Sequence, residues 1–149
     1  MKAMAISRTA LDVEWRRLEI ISENLANMNT TRAANGALYQ ARHLVSGPKA
    51  DFEAHLDRPG TAATDVDLNS LQGVAVYGVV ADNAAPHLVH EPGNPQADAN
   101  GMVAYPAIDH AGQMLLMLKT SRAYEANIVA MNAARQMYAK ALELGRHSS

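Results

Sequence analysis

The stretch "HAGQMLLMLKTSRAYEANIVAMNAARQMYAKALEL", residues 110–144, decides the fold class. It contains no proline and a single glycine, Gly112, so no residue in it forces a break in a helix. At ~1.5 Å per residue a helix over this span is about 50 Å long. Helices in globular proteins average about 11–12 residues, so this one is an outlier. Met117, Tyr124, Met131 and Tyr138 recur every seven residues, and Met114, Ser121, Ile128, Arg135 and Leu142 form the adjacent row. A sustained seven-residue repeat predicts a coiled-coil seam. Ala123, Ala126, Ala130, Ala133, Ala134, Ala139 and Ala141 let a partner approach closely. Asp109 stands at the N-cap position, and Gly145 stands where a left-handed residue would end the helix.

A helix of this length needs cover, and the other end of the chain offers it. Residues 3–28 also read as a helix. Met4, Leu11, Leu18 and Leu25 lie seven apart, with Trp15, Ile21 and Met28 beside them. Ile6, Ala10, Val13 and Ile20 make a second stripe, and Arg8, Asp12, Glu14, Arg16, Glu19 and Glu23 take most of the remaining surface. Two stripes imply two neighbours. The first is expected to meet the seven-residue rows of 110–144, and the second a different molecule. Even so paired, the longer helix retains uncovered apolar surface, and such surface marks interaction sites.

Between the helices the character changes. "GALYQARHLVSG" (36–47), "GVAVYGVV" (73–80) and "NGMVAYP" (100–106) are short β-prone runs bordered by glycine or proline. Residues 85–101 hold three of the six prolines and two of the nine glycines, and are read as loop. Residues 48–72 lack periodicity. The expected fold is therefore mainly α with a small β-rich or extended insert, the long N- and C-terminal helices pairing as a coiled-coil-like inner domain. Residues 1–31 and 105–149 would form this discontinuous helical domain, and residues 32–104 the insert.

Composition limits the chemistry. The chain has 149 residues, a net charge of -2, 48% hydrophobic and 5% aromatic residues, eight methionines and no cysteine. Methionine suits adaptable packing surfaces. The basic residues form no run longer than Arg16-Arg17, which argues against nucleic acid as a partner. Without cysteine there are no disulfides and no thiolate chemistry. No apolar run reaches the ~18 residues of a membrane helix, and the N-terminal stretch lacks the pattern of a cleaved signal peptide.

His87, His90, Glu91 and His110 invite a test for metal binding. Pro86 and Pro92 bracket "HLVHE" and disfavour helix there, and in an extended strand His87 and His90 point to opposite faces. The zinc-hydrolase pattern needs both histidines on one helical face. Loop histidines in water are the simpler reading. There is no G-x-S-x-G elbow and no phosphate-cradling glycine motif. "DFEAHLD" (51–57) reads as a solvated charged segment. No catalytic, cofactor-binding or metal-binding residue is assigned, and no cofactor is expected.

One cluster remains. "NLANMNTT" (24–31) places three asparagines and two threonines in eight positions at the end of the first helix. Such residues hydrogen-bond to nearby backbone and favour turns, and Asn27 or Asn29 is a candidate for a left-handed helix end. Termination alone does not explain the density of amides and hydroxyls. They are expected to join the helix to the following segment and to a neighbouring molecule.

Both chain ends also carry a resemblance. "SENLANMNTTRAANGALYQAR" resembles the N-terminal signature of bacterial flagellar rod and hook proteins, a helix ending in N-x-A-N-x-x-T. "SRAYEANIVAMNAARQMYAKALELGR" is similar to their C-terminal signature. The insert, "VYGVVADNAAPHLVHEPGNPQADANGMVAYP", is most similar to that of a proximal rod component. Met28, Met131 and Trp15 depart from the usual pattern but keep an apolar side chain.

The resemblance implies a structural subunit of the flagellar basal body, not an enzyme. Copies would polymerise helically through their terminal helices into the hollow proximal rod, a drive shaft that transmits torque and conducts exported subunits. Another rod or hook component, or a helical coiled-coil adaptor or export chaperone, is the alternative. Implied partners are further copies, neighbouring rod proteins and the flagellar type III export apparatus, with no direct membrane insertion. The implied location is the periplasm-spanning rod, reached without a cleaved signal peptide. Residues expected at assembly contacts are Leu11, Leu18, Leu25, Asn24, Asn27, Thr30, Thr31, Met117, Tyr124, Asn127, Ile128, Met131, Tyr138 and Leu142.

Overall fold

Helix α1 runs over Lys2–Ala26, helix α2 over His110–His147, and four strands lie between them: β1 (Arg42–Pro48), β2 (Val74–Ala81), β3 (His87–His90) and β4 (Met102–Tyr105). This is a computed structural model, which describes residues 2–32, 36–49 and 72–147. The irregular reading of 48–72, the charged segment 51–57 included, falls almost entirely outside the described residues.

The helices form where the apolar spacing places them. Asp109 caps α2, its carboxylate accepting from the Ala111 N–H at 3.1 Å. The far end differs from expectation. α2 continues through Gly145 to His147, and Gly145 does not take a left-handed conformation. Asn27 and Asn29 do not either, because no described residue other than glycine has positive φ. α1 ends instead in turns, with the Asn27 N–H donating to the carbonyls of Glu23 (3.1 Å) and Asn24 (3.2 Å).

The expected fold class is corrected in two respects. The chain is not mainly α: about 52% of the described residues are helical and 19% are strand, the strands forming two separate two-stranded antiparallel sheets. Residues 85–101, read as loop, contain β3, which pairs with β4 in the register His87↔Tyr105, Leu88↔Ala104, Val89↔Val103 and His90↔Met102. Prolines 86 and 92 border this strand rather than interrupt it, so its N–H groups remain free to pair.

The second respect is the seam. The buried positions of α1 are Val13, Ile20, Ile21 and Asn24, whereas Leu11, Leu18 and Leu25 stay half-buried. On α2 the buried residue is Thr120, while Met114, Tyr138 and Leu142 are exposed. Most of the half-buried positions, Gln113, Met117, Tyr124, Asn127, Met131 and Ala134, alternate steps of three and four with Thr120 among them. The row beside Met117, Tyr124 and Met131 is therefore Gln113, Thr120, Asn127 and Ala134, three of them polar, and not the row through Met114 and Leu142. A coiled-coil seam needs apolar side chains at both positions of its repeat, and this one lacks them.

Two compact units share these elements. In the first, which includes the chain up to Trp15, Gly73 and the chain from Ser121, Trp15 meets Tyr124 with ring centroids 6.3 Å apart. Thr9 holds the start of β2 there: its hydroxyl donates to the Ile6 carbonyl at 2.7 Å and accepts from the Val74 N–H at 3.0 Å. Gly73 permits this approach. It has φ +116, and an added Cβ would stand 2.2 Å from Thr9 Oγ1. The second unit takes Arg16–Val45 and Gly78–Thr120 and carries the β3–β4 hairpin, with Val103 among its most buried side chains.

Candidate assembly surfaces

The polar cluster at the end of α1 is a joint built around Asn24, which is 1% exposed. A primary amide has two N–H donors and two acceptor lone pairs. Asn24 uses all four. Its Nδ2 donates to the Arg42 carbonyl at 2.7 Å and to Gln113 Oε1 at 3.3 Å. Its Oδ1 accepts from the Arg42 N–H at 2.9 Å and from the Tyr39 hydroxyl at 3.0 Å. Arg42 is the first residue of β1, so the amide pairs with that strand as a neighbouring peptide group would. Above it, the Arg42 guanidinium pairs with Glu23 on the surface.

The rest of the cluster divides by task. Asn27 and Thr30 close the helix end: Asn27 Nδ2 donates to the Glu23 carbonyl at 2.8 Å, and the Thr30 hydroxyl donates to Asn27 Oδ1 at 3.2 Å. Thr31 reaches across to Gln96, in the connection between β3 and β4. That connection is well tied. Asp98 Oδ1 accepts from the N–H groups of Asn100 (2.8 Å) and Met102 (2.9 Å). The Tyr105 hydroxyl donates to Glu91 Oε2 at 3.1 Å. Burial pushes the Tyr105 phenol above its ordinary pKa, and the Glu91 carboxylate adds to the shift.

Of the residues expected at contacts, the structure brings Asn24 to Tyr39, Arg42 and Gln113, three residues that sequence reasoning did not single out. Gln113 had a signal: it starts the polar row at seven-residue spacing on α2. Tyr39 and Arg42 had none beyond lying in a β-prone run. Leu11, Leu18, Leu25, Asn27, Thr30, Thr31, Met117, Tyr124, Asn127, Ile128 and Met131 are half-buried, and so retain accessible surface. Tyr138 (40% exposed) and Leu142 (54%) lie open. From Arg135 to Arg146 every residue is exposed, Met137 and Leu144 among them. Among the described residues no group of three metal-ligating side chains comes together, and no helix is long and apolar enough to cross a membrane.

Comparison with known proteins bears on these surfaces. The family described as "Flagella basal body rod protein" matches residues 4–33, which hold most of α1 and the polar joint's first half. The family described as "Flagellar basal body rod FlgEFG protein C-terminal" matches residues 99–144. The flagellar basal-body rod protein FlgC of Salmonella typhimurium is 36% identical over 95% of this chain and 94% of its own. The chain belongs to the FlgC family. The FlgC protein of Bacillus subtilis is 34% identical over 97% of both chains, and that of Borreliella burgdorferi 29% identical over 93% of both. FlgC-family membership makes the chain a structural subunit of the flagellar basal-body proximal rod, assembled with other rod components. Asn24 thus falls inside the N-terminal matched segment and Gln113 inside the C-terminal one, while Tyr39 and Arg42 lie outside both.

Proposed function

We propose that the chain builds the rod by helical polymerisation through its terminal helices, and that torque and exported subunits pass along the resulting hollow shaft. The observation that carries this reading is the open end of α2: twelve consecutive residues, Arg135–Arg146, lie exposed with Met137 at 67% and Leu144 at 72%. Apolar side chains so placed are stabilised by burial against another molecule. Helical growth requires two different faces on each subunit, because heterologous contacts do not close. The half-buried row Leu11, Leu18 and Leu25 on α1 supplies a second surface.

In this reading the terminal segments 1–31 and 105–149 form the axial part, and 32–104 shapes contacts outside it. Packed helices supply stiffness, because interiors at crystal-like density transmit strain. The chain works by packing and carries out no reaction. It passes through the flagellar type III export apparatus and takes up its place in the periplasm.

Leu18→Asp and Ile128→Asp each put an uncompensated carboxylate into a subunit contact. Either change removes the chain from purified basal bodies and abolishes swimming. A motile strain with normal amounts of the altered chain in its rods would overturn the reading.

A further inference from the structure

A shallow groove of about 800 Å³ lies in the second unit, beside the β3–β4 hairpin. Met28, Val89, Tyr105 and Ile108 give it apolar walls, and Glu91 and Asp109 line it with carboxylates. Glu91 is half-buried, yet its partners there are neutral: the Tyr105 hydroxyl at 3.1 Å and Asn94 Nδ2 at 2.9 Å. Among the described residues no cation pairs with it. A partly buried carboxylate without a cation is a favourable place for one.

The first unit presents the matching surface. Val129, Ala133, Met137, Lys140 and Leu144 follow one another on α2 at steps of three and four, so they share one face. All five are exposed, Val129 at 67%, Met137 at 67% and Leu144 at 72%. Lys140 is the only charge on this stripe and has no ion pair among the described residues. The stripe lies apart from the row of Met117, Thr120, Tyr124 and Met131, so covering it does not compete with the contact of Trp15 with Tyr124.

We propose that the Val129–Leu144 stripe of one copy docks in the hairpin groove of a second copy, with Lys140 placed against Glu91. This deepens the reading of a self-assembling subunit and rests on it. The contact is heterologous: groove and stripe are different surfaces, so each copy offers one of each and the arrangement propagates. The apolar flanks supply burial, and the single charge pair sets where along the helix the groove engages, since electrostatic matching fixes register more than affinity.

The absence of native cysteine makes a cross-linking test clean. Two differently tagged copies are produced together, one with Asn29→Cys at the groove rim and the other with Leu144→Cys on the stripe. Basal bodies are purified and oxidised mildly. The expected product is a disulfide joining the two tags. Adding Lys140→Glu to the stripe copy lowers its yield about tenfold, because a carboxylate then faces Glu91, and adding Glu91→Lys to the groove copy restores much of it. Glu91→Lys also cuts the Tyr105 and Asn94 bonds, so Lys140→Glu, at an exposed helical position, is the deciding change.

Basal bodies that contain the chain but give no joined product overturn the docking and leave the rod reading standing. So does a yield indifferent to Lys140→Glu. Absence of the unaltered chain from basal bodies overturns both.

Discussion

Asn24 acts as a piece of backbone that the helix lends to the strand. Its amide presents a donor and an acceptor to Arg42 as an adjacent strand would, and its remaining two valences take Tyr39 and Gln113. Asn24→Leu removes all four bonds and leaves the buried ends without partners. It is expected to cost about 3 kcal/mol in urea unfolding of the isolated chain. Asn24→Asp distinguishes hydrogen bonding from simple space-filling. An ionised carboxylate would face the Arg42 carbonyl and Gln113 Oε1, both acceptors, so the folded state favours the protonated acid and raises its pKa. The stability of that variant then falls, relative to the unaltered chain, as pH rises from about 4 to about 7. A difference that does not change with pH would mean that the amide's donors contribute little.

This joint was half legible in the residues. A dense run of Asn and Thr after an amphipathic helix says that backbone groups need partners there, and Asn27 and Thr30 meet that expectation locally. The partners of Asn24 are 15, 18 and 89 positions away. No local pattern encodes which backbone group the amide will meet, since that depends on how the chain returns after leaving the helix.

Among the elements, α1 and β2 meet through a close approach that only glycine allows. Gly73→Ala adds a Cβ to a backbone at φ +116 and drives it into the Thr9 hydroxyl. A destabilisation of about 2 kcal/mol is expected from thermal unfolding. Thr9→Ala alone loses the bond to the Val74 N–H, a cost of about 1 kcal/mol. Combined, the two changes should cost less than their sum, because the clash disappears with the hydroxyl while the backbone strain stays. Strict additivity would show that the contact is not what excludes a side chain at 73.

The elements also show where periodicity misleads. Helix positions and lengths followed from spacing of apolar residues, yet the buried row on α2 is the one containing Gln113, Thr120 and Asn127. Apolar side chains outnumber the places inside for them, so the most hydrophobic row need not be the covered one. Met114, Met137 and Leu144 are apolar and exposed. β3 was missed because prolines and glycines dominate its surroundings, although the four residues "HLVH" themselves contain neither.

At the scale of the whole molecule, the strands β1 and β2 are tied at both ends. The Lys49 N–H donates to the Gly73 carbonyl at 2.8 Å and the Gln72 N–H to the Lys49 carbonyl at 3.3 Å, while the Asp82 N–H donates to the Ala41 carbonyl at 2.7 Å. Tyr77 adds a side-chain tie, its hydroxyl donating to the Pro48 carbonyl at 2.7 Å. The chain between Lys49 and Gln72 therefore departs and returns at paired residues. Tyr77→Phe removes the side-chain tie to Pro48 and is expected to cost about 0.5–1 kcal/mol in urea unfolding of the chain. An unchanged stability would show that this hydroxyl contributes nothing to the clasp.

That clasp has a consequence for anyone who wishes to see the rod work. Terminal tags fall beside α1 and α2, where copies are expected to meet, and so tend to obstruct what they are meant to report. A label on the exposed side chain of Lys49 sits on that clasp rather than on α1 or α2. It offers a place from which a fluorophore or gold particle reports the position of each subunit in a turning shaft.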